Sequence, residues 1–463
     1  MVRGLFDILP AGGGAEAAGG GSESGMQSAS SEGAAREQSW QWDGEADGAA
    51  EAPGDVIGAG GDGPRLSRRG LLTGAGLLAV GGAAWAFAGS GSDRPVPEPT
   101  KPPPTALSGP TPLWTYRGAQ AMTPERLVAP PGRPVFLSKA GLQVLDPADG
   151  GPRRLLVFDP PPPPNWPSDV DVPATKVAVG REYLYSATSR GHLDAHHLTD
   201  PTADWSVPLP DELPGGLMLT CMDAGVLYGC AWGWPGADGK VPSSRVFALQ
   251  LGSRTLLWSV AGDHQEQPVT PATSGTAHLL ACTRSVGDRA ELVVRDAATG
   301  RELWTAPGAE GLRWCAAGEE GFLVPDGNGG VHMLGPGGEP RWTHSPARDE
   351  SWRALPPVPD GVRVLVPRDN GLVTCHDAGT GAVLWSYRLP FLLDRRTRPL
   401  VAGGTLYVPG PAAGGVSAID TATGVPAWTF NDSGPGRDVW TVTADGNHLY
   451  AGHDDILHAL PLS

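Results

Sequence analysis

The sequence predicts an all-β protein, an eight-bladed β-propeller that an N-terminal strand closes. The main observation is a repeat in the second half of the chain, where tryptophans recur at intervals of 38 to 46 residues. The recurring positions are Trp258, Trp304, Trp342, Trp385 and Trp428. Segments with long helical periodicity are absent from the same region. A strand-rich repeat of about 40 to 45 residues is typical of propeller blades, each of which is one small sheet.

A copied turn phrase, Asp-x-x-Thr-Gly, precedes three of these tryptophans. The copies comprise Asp296 with Gly300 and Trp304, Asp377 with Gly381 and Trp385, and Asp420 with Gly424 and Trp428. The aspartate can accept backbone N–H groups two residues on, and the glycine can take the positive φ of a tight turn. The tryptophan of the next strand can fill the space between adjacent blades. We therefore predict structural rather than catalytic roles for these residues.

Seven copies of this hairpin can be counted, and an eighth begins near residue 456 without its tryptophan strand. The first copy starts at Asp146 and has Leu155 and Leu156 where the tryptophan is expected. Residues 113–116 read Leu-Trp-Thr-Tyr and can supply the missing outer strand. Closure of this kind removes free sheet edges, so we assign residues 113–463 to the propeller.

Three different segments precede the propeller. Residues 1–64 are rich in Gly, Ala, Ser and Glu and are predicted to be a disordered leader. Residues 65–91 contain Arg68 and Arg69 before an apolar run at 71–89, which resembles a twin-arginine export signal and is also long enough for a transmembrane anchor. Residues 92–112 form a Pro-rich linker. Either interpretation of 65–91 places the propeller outside the cytoplasm, held at the cell membrane or secreted.

The turn phrase and its tryptophan resemble the repeat of pyrroloquinoline quinone (PQQ) propellers, best at 291–304, 371–385 and 414–428. That superfamily includes quinoprotein alcohol dehydrogenases and the lipoprotein propeller of outer-membrane protein assembly. The dehydrogenases typically have adjacent cysteines beside the cofactor, a calcium site and a catalytic aspartate. The five cysteines here are not adjacent, and their odd number leaves at least one outside any intramolecular disulfide. We therefore predict no enzyme activity, cofactor or metal site, with a PQQ-dependent oxidoreductase as the alternative.

The varied loops opposite the Asp-type turns form the predicted ligand-binding face. Arg and Trp, which are favoured at interfaces, recur where these loops lead into inner strands. The candidate residues are Arg313, Trp314, Trp352, Arg353, Arg396, Arg398, Arg437 and Trp440. Their chemistry suits a protein or a small anionic ligand. The alternative is that the tryptophans pack between blades and the arginines are solvated or paired with local acids.

The net charge of −16 argues against nucleic-acid binding, which needs a basic surface. His192, Asp194 and His196 lie on one face of a predicted strand. We interpret them as exposed polar residues, with metal ligands as the alternative. The sequence as a whole predicts an exported or membrane-anchored, monomeric propeller scaffold that binds a ligand. A second alternative is the extracellular sensor module of a receptor-like protein.

Overall fold

The computed structural model describes most of the chain from residue 107 onwards. The described residues are 107–118, 122–128, 133–138, 141–156, 177–187, 192–210, 213, 216–232, 244–262, 266–274, 277–286, 289–307, 315–326, 329–347, 350–434, 436 and 438–462. The predicted leader and the predicted signal or anchor lie outside them. Within them, no helix is long and apolar enough to cross a membrane.

The first four blades are antiparallel four-stranded sheets. Blade 1 comprises Met122–Val128, Val135–Ser138, Gly141–Leu145 and Pro152–Leu156. Blade 2 comprises Val177–Val179, Tyr183–Ala187, His192–His197 and Trp205–Pro208, with a 3-10 turn at Pro201–Ala203. Blade 3 comprises Gly216–Asp223, Val226–Trp232, Arg245–Gln250 and Thr255–Ala261. Blade 4 comprises Gln267–Ser274, Ala277–Val286, Arg289–Asp296 and Glu302–Pro307.

The other four blades repeat this order. Blade 5 comprises Ala316–Gly318, Gly321–Pro325, Val331–Leu334 and Pro340–His344. Blade 6 comprises Val358–Asp360, Arg363–Pro367, Leu372–Asp377 and Val383–Arg388. Blade 7 comprises Leu400–Ala402, Thr405–Pro409, Val416–Asp420 and Pro426–Phe430. Blade 8 comprises Thr441–Ala444, His448–His453, Ile456–Pro461 and the N-terminal strand Trp114–Arg117.

The N-terminal strand closes the ring, as the sequence predicted. Trp114–Arg117 runs antiparallel to Ile456–Pro461, with Trp114 opposite Ala459. The eight-bladed, all-β fold class is therefore confirmed. A further two-residue strand, Leu107–Ser108, pairs in parallel with Pro426–Phe430 at the outer edge of blade 7. This strand lies in the segment that composition assigned to the linker.

At five of the eight blade boundaries, a tryptophan of one blade bonds the turn of the next. The Trp342 Nε1–H donates to the Ala378 carbonyl at 2.8 Å, and its ring covers Gly381, whose φ of 72° an L side chain rarely adopts. In the same turn, the Thr380 hydroxyl and N–H hold the pKa of Asp377 below its usual value. The same indole-to-carbonyl bond is made by Trp114, Trp258, Trp304 and Trp385. The repeat phrase is thus a blade-to-blade contact.

The boundaries of blades 1 and 2 and of blades 2 and 3 have other contacts at this place. At the first, Arg154 rather than a leucine takes the tryptophan position, opposite Val144, and it pairs with Asp204 of blade 2. At the boundary between blades 2 and 3, Arg254 stands at the glycine position with a φ of 58°, and its guanidinium lies 4.6 Å from the centre of the Trp205 ring. A mainly apolar cavity of about 260 Å³ remains there.

Candidate functional site

The candidate site lies on the side of the ring that we call the loop face. It carries the connections between blades and the turns between the second and third strands of each blade. Its best-described part covers blades 5 to 8, at 345–347, 350–357, 368–371, 389–399, 410–415 and 431–440 except 435 and 437. The opposite side, the turn face, carries the Asp-type turns. Ala378 of one such turn donates its N–H to Val362 on the same side.

Backbone hydrogen bonds fasten the loops of blades 5 to 7 to one another around Asp369. The Asp369 carboxylate accepts from the Arg353 N–H at 2.8 Å, and the Asp369 N–H donates to the Arg353 carbonyl at 2.9 Å. The Asp369 carbonyl accepts from the Leu393 N–H at 3.0 Å. Since the backbone groups of these loops are paired, the side chains they carry are presented from fixed positions.

Four exposed arginines lie on these fastened loops: Arg353, Arg395, Arg396 and Arg398. Arg396 pairs with Asp394 at 3.1 Å and with Asp438 at 3.4 Å. Arg398 donates to the carbonyls of Arg395 and Thr397, at 2.8 and 3.1 Å. Among the described residues, Arg353, Arg395 and Arg398 form no ion pair. All three are exposed on the loop face.

The two described tryptophans of the predicted site are packed inside the loops. Trp352 is 4% exposed and Trp440 is 1% exposed. The Trp352 indole donates to the Glu350 carboxylate at 2.9 Å, and the Trp440 indole donates to the Ala412 carbonyl at 3.1 Å. Both rings therefore support the loops from within. Arg313, Trp314 and Arg437, the other predicted ligand residues, lie outside the described residues.

A buried polar cluster, which the sequence reasoning missed, lies beneath Trp352 at the boundary of blades 5 and 6. The Arg368 guanidinium lies 3.9 Å from the centre of the Trp352 ring, and its Nη2 donates to His344 Nε2 at 2.6 Å. Burial lowers the pKa of His344 to about 3 and that of His376 to about 4, so both imidazoles are neutral at pH 7. Aligning the turns after the second strand of each blade would have drawn attention to Arg368.

A related cluster at the boundary of blades 7 and 8 contains an acid. Asp432 Oδ2 lies 3.0 Å from His453 Nε2 and 3.1 Å from His458 Nε2. Burial raises the pKa of Asp432, but hydrogen bonds from the Gly434 N–H and from these two histidines lower it more. The pKa of Asp432 therefore lies below its usual value. His458 also bonds the Thr115 hydroxyl at 2.9 Å, which ties the cluster to the closing strand.

On blade 2, His192 and His196 have different polar partners. His192 lies 3.2 Å from the Ser206 hydroxyl, which donates to Asp194 at 2.6 Å. His196 lies 3.1 Å from Asp204. Within the described residues, no group of three or more His, Cys, Asp or Glu side chains is placed to hold a metal ion. The five cysteines are free thiols, and burial raises the pKa of Cys230 to about 12.

Comparison with known proteins agrees with the architecture. Residues 327–460 match a PQQ-type family model described as outer membrane protein assembly factor BamB. No curated protein matches the sequence.

Two solved structures show the same fold at low sequence identity, and a third gives a weaker match. The computationally designed Ika8 protein is 15% identical, with 76% of this chain and 99% of that chain covered and a TM-score of 0.54. Sqt1 from Saccharomyces cerevisiae is 12% identical, with 77% and 100% covered and a TM-score of 0.51. BamB from Moraxella catarrhalis is 15% identical, with 62% and 96% covered and a TM-score of 0.42.

Proposed function

We propose that this chain, whose residues 327–460 match a PQQ-type family model, is an exported, non-enzymatic scaffold. In this proposal, its loop face binds a protein partner whose carboxylates pair with the exposed arginines. The observation that carries the proposal is the set Arg353, Arg395 and Arg398, exposed and without an ion pair among the described residues, on a chain of net charge −16. Guanidinium groups recognise carboxylates through paired N–H donors and are enriched in interfaces.

A protein, rather than a small molecule, is the partner we favour for two reasons. The family model that matches 327–460 is described as an assembly factor for outer membrane proteins, which is a role in handling other proteins. The arginines are also distributed over loops from two different blade connections, 345–357 and 389–399, so a binding partner has to be broad enough to span both.

The proposal is tested with a fluorescein-labelled decaglutamate peptide and the purified full chain. We expect binding that weakens as salt is added, because exposed ion pairs are screened. Arg353→Glu and Arg395→Glu should each weaken binding about threefold to tenfold. The matched control is Arg301→Glu, which makes the same change of charge at an exposed position on the turn face. Equal weakening by Arg301→Glu would show that only overall charge matters and would refute a loop-face site.

Export is part of the same proposal and rests on Arg68 and Arg69, which precede the apolar run 71–89. Changing both residues to lysine keeps the positive charge but removes the twin-arginine pair. We expect the double variant to accumulate inside the cell, as followed by fractionation and protease accessibility. Normal export of this variant would contradict the twin-arginine route.

The absence of catalysis is also proposed, on the ground that no two of the five cysteines are adjacent. The full chain supplied with PQQ and calcium should reduce no redox dye when alcohols or sugars are added. Calcium-dependent dye reduction with any of these substrates would establish the oxidoreductase alternative instead.

A further inference from the structure

The Arg368 guanidinium is a buried cation with no carboxylate bonded to it among the described residues. Arg368 is 3% exposed, and its Nε–H has no hydrogen-bond partner in the described part of the chain. Leaving a buried N–H unsatisfied lowers the stability of the fold, and an unpaired buried charge lowers it further. A side chain in this state is retained at a cost to stability, which a suitable counter-ion would offset.

Among the described residues, no carboxylate bonds Arg368, although the charge of Glu350 acts on it through space. His344 accepts from Arg368 Nη2 at 2.6 Å, and the Thr374 hydroxyl lies 3.5 Å from the same nitrogen. His344 is uncharged at neutral pH because burial lowers its pKa. The nearby Glu350 carboxylate is exposed and accepts from the Trp352 indole. The cluster therefore has an aromatic wall, two neutral imidazoles and one cation.

The corresponding place between blades 7 and 8 contains the missing acid. The outer strands Pro340–His344 and Pro426–Phe430 read Pro-Arg-Trp-Thr-His and Pro-Ala-Trp-Thr-Phe, so they align without gaps. Two residues after them stand Pro346 and Asp432. One blade repeat therefore has a proline where the other has a carboxylate.

The strand pairing aligns the basic residues as well. Cys375 lies opposite Trp385 in blade 6, and Ala459 lies opposite Trp114 in blade 8. On the neighbouring strands, Leu365 pairs with Cys375 and Tyr450 pairs with Ala459. Arg368 and His453 each lie three residues after these positions, so they are equivalent. His453 accordingly contacts Trp440, at 4.3 Å between ring centres, and bonds Asp432 at 3.0 Å. Arg368 has the equivalent contact with Trp352, but the described residues around it contain no equivalent of Asp432.

We propose that Arg368 anchors a binding site for a carboxylate group supplied from outside the chain, which takes the place beside Pro346 that Asp432 has in the related cluster. Pro346 is partly exposed and Ala347 is exposed, so this place borders the surface of the loop face. A carboxylate can satisfy the Arg368 Nε–H and neutralise its charge. The site deepens the proposed function, on which it rests for the source of the group, an acidic segment of the protein partner.

The site is tested by NMR on the full chain labelled with ¹⁵N-arginine, with sodium acetate as the probe and sodium chloride at equal ionic strength as the control. The Arg368 Nε–H signal is identified by its loss in Arg368→Lys. We expect acetate to shift this signal until it saturates, while the Arg301 signal on the turn face stays in place. An Arg368 signal that responds to acetate no more than to chloride would overturn the proposal.

Pro346→Asp is the decisive variant, because it installs the acid that the related cluster already has. We expect the Arg368 signal to be shifted before any acetate is added and the saturable response to be lost. This variant also serves if Arg368→Lys fails to fold, because the moved signal identifies Arg368. A Pro346→Asp protein that responds to acetate as the wild type does would contradict the placement beside Pro346.

Decaglutamate separates this site from the proposed function. A shift of the Arg368 signal by both acetate and decaglutamate assigns the site to acidic polypeptides. A shift by acetate alone supports a site for small carboxylic acids and contradicts its assignment to an acidic segment of the partner. Peptide binding at the loop face is then tested only by the Arg353→Glu and Arg395→Glu variants. Peptide binding that depends on Arg353 and Arg395 without any response of Arg368 would overturn the site and leave the proposed function intact.

Discussion

Gly381 shows how closely a single residue of the repeat is constrained. Its φ is 72°, and a Cβ added there would lie 2.6 Å from Trp342 Cγ. Gly361, on the same face of the same blade, also has a positive φ, 58°, but has nothing within 4 Å of an added Cβ. The two glycines therefore separate the cost of the backbone conformation from the cost of displacing the tryptophan.

We expect Gly361→Ala to lower the free energy of unfolding by about 1–2 kcal/mol, the cost of an L residue in the left-handed region. Gly381→Ala should cost a further ~1–3 kcal/mol because the tryptophan must move. Urea unfolding of both variants measures the difference. Equal losses would show that the contact between Trp342 and the turn contributes nothing to stability.

His376 makes the stability of the fold depend on pH. Its Nδ1 donates to the Gly381 carbonyl and its Nε2 bonds the Thr374 hydroxyl, and burial lowers its pKa to about 4. An unfolded histidine has a pKa of about 6.5, so below that pH the unfolded chain takes up a proton that the folded chain refuses. The stabilisation is therefore complete above pH 6.5 and is lost as pH falls towards 4.

A glutamine at this position can keep both hydrogen bonds and does not titrate. Between pH 7.5 and pH 5, the wild type should lose about 2 kcal/mol more free energy of unfolding than His376→Gln. Urea unfolding at the two pH values measures this. Parallel pH profiles for the two proteins would mean that His376 does not titrate as its burial implies.

The clusters around Arg368 and Asp432 could not be predicted from the sequence. The Asp-x-x-Thr-Gly turns could be predicted because each is local and repeated. Each cluster is built from two adjacent blades, as His344 and Arg368 show in one and Asp432 and His453 in the other, so its formation depends on how the blades pack. Trp352 and Trp440 were predicted as ligand residues because their loops vary, but local sequence does not tell which way a ring in a loop points.

At the scale of the strand, closure of the ring depends on Trp114–Arg117. This strand pairs with the last strand of the chain, and the Trp114 indole donates to the Pro147 carbonyl of blade 1 at 2.8 Å. It therefore joins the last blade to the first by backbone pairing and by packing. The two-residue strand Leu107–Ser108 pairs with blade 7 but is not packed in this way, because the Leu107 side chain is 72% exposed.

Deleting residues 113–118 should expose the edge of Ile456–Pro461 and remove the contact to blade 1. We expect aggregation or a melting temperature lower by many degrees, because Trp→Ala changes alone cost about 3–5 kcal/mol in packed sites. Replacing Leu107–Ser108 by Gly-Gly is the control and should change the free energy of unfolding by less than about 0.5 kcal/mol. A deletion variant that melts like the wild type would contradict closure by this strand.

For the whole molecule, the sequence predicted the blade number and the closing strand because these follow from counting repeats. The interlocked loops could not be predicted in this way. The contacts around Asp369 join Arg353 to Leu393, forty residues apart. The arrangement of the loop face therefore follows from the ring as a unit, and the proposed binding function belongs to the same scale.

The most direct test of a loop-face partner is photo-crosslinking in cells that export the full chain. Leu392 on the loop face and Val362 on the turn face are each 70% exposed, so they form a matched pair for a benzoylphenylalanine substitution. The account predicts a discrete protein adduct from position 392 that disappears when Arg353 and Arg395 are changed to glutamate, and no such adduct from position 362. The same adduct from both positions, or an adduct from position 362 alone, would contradict it.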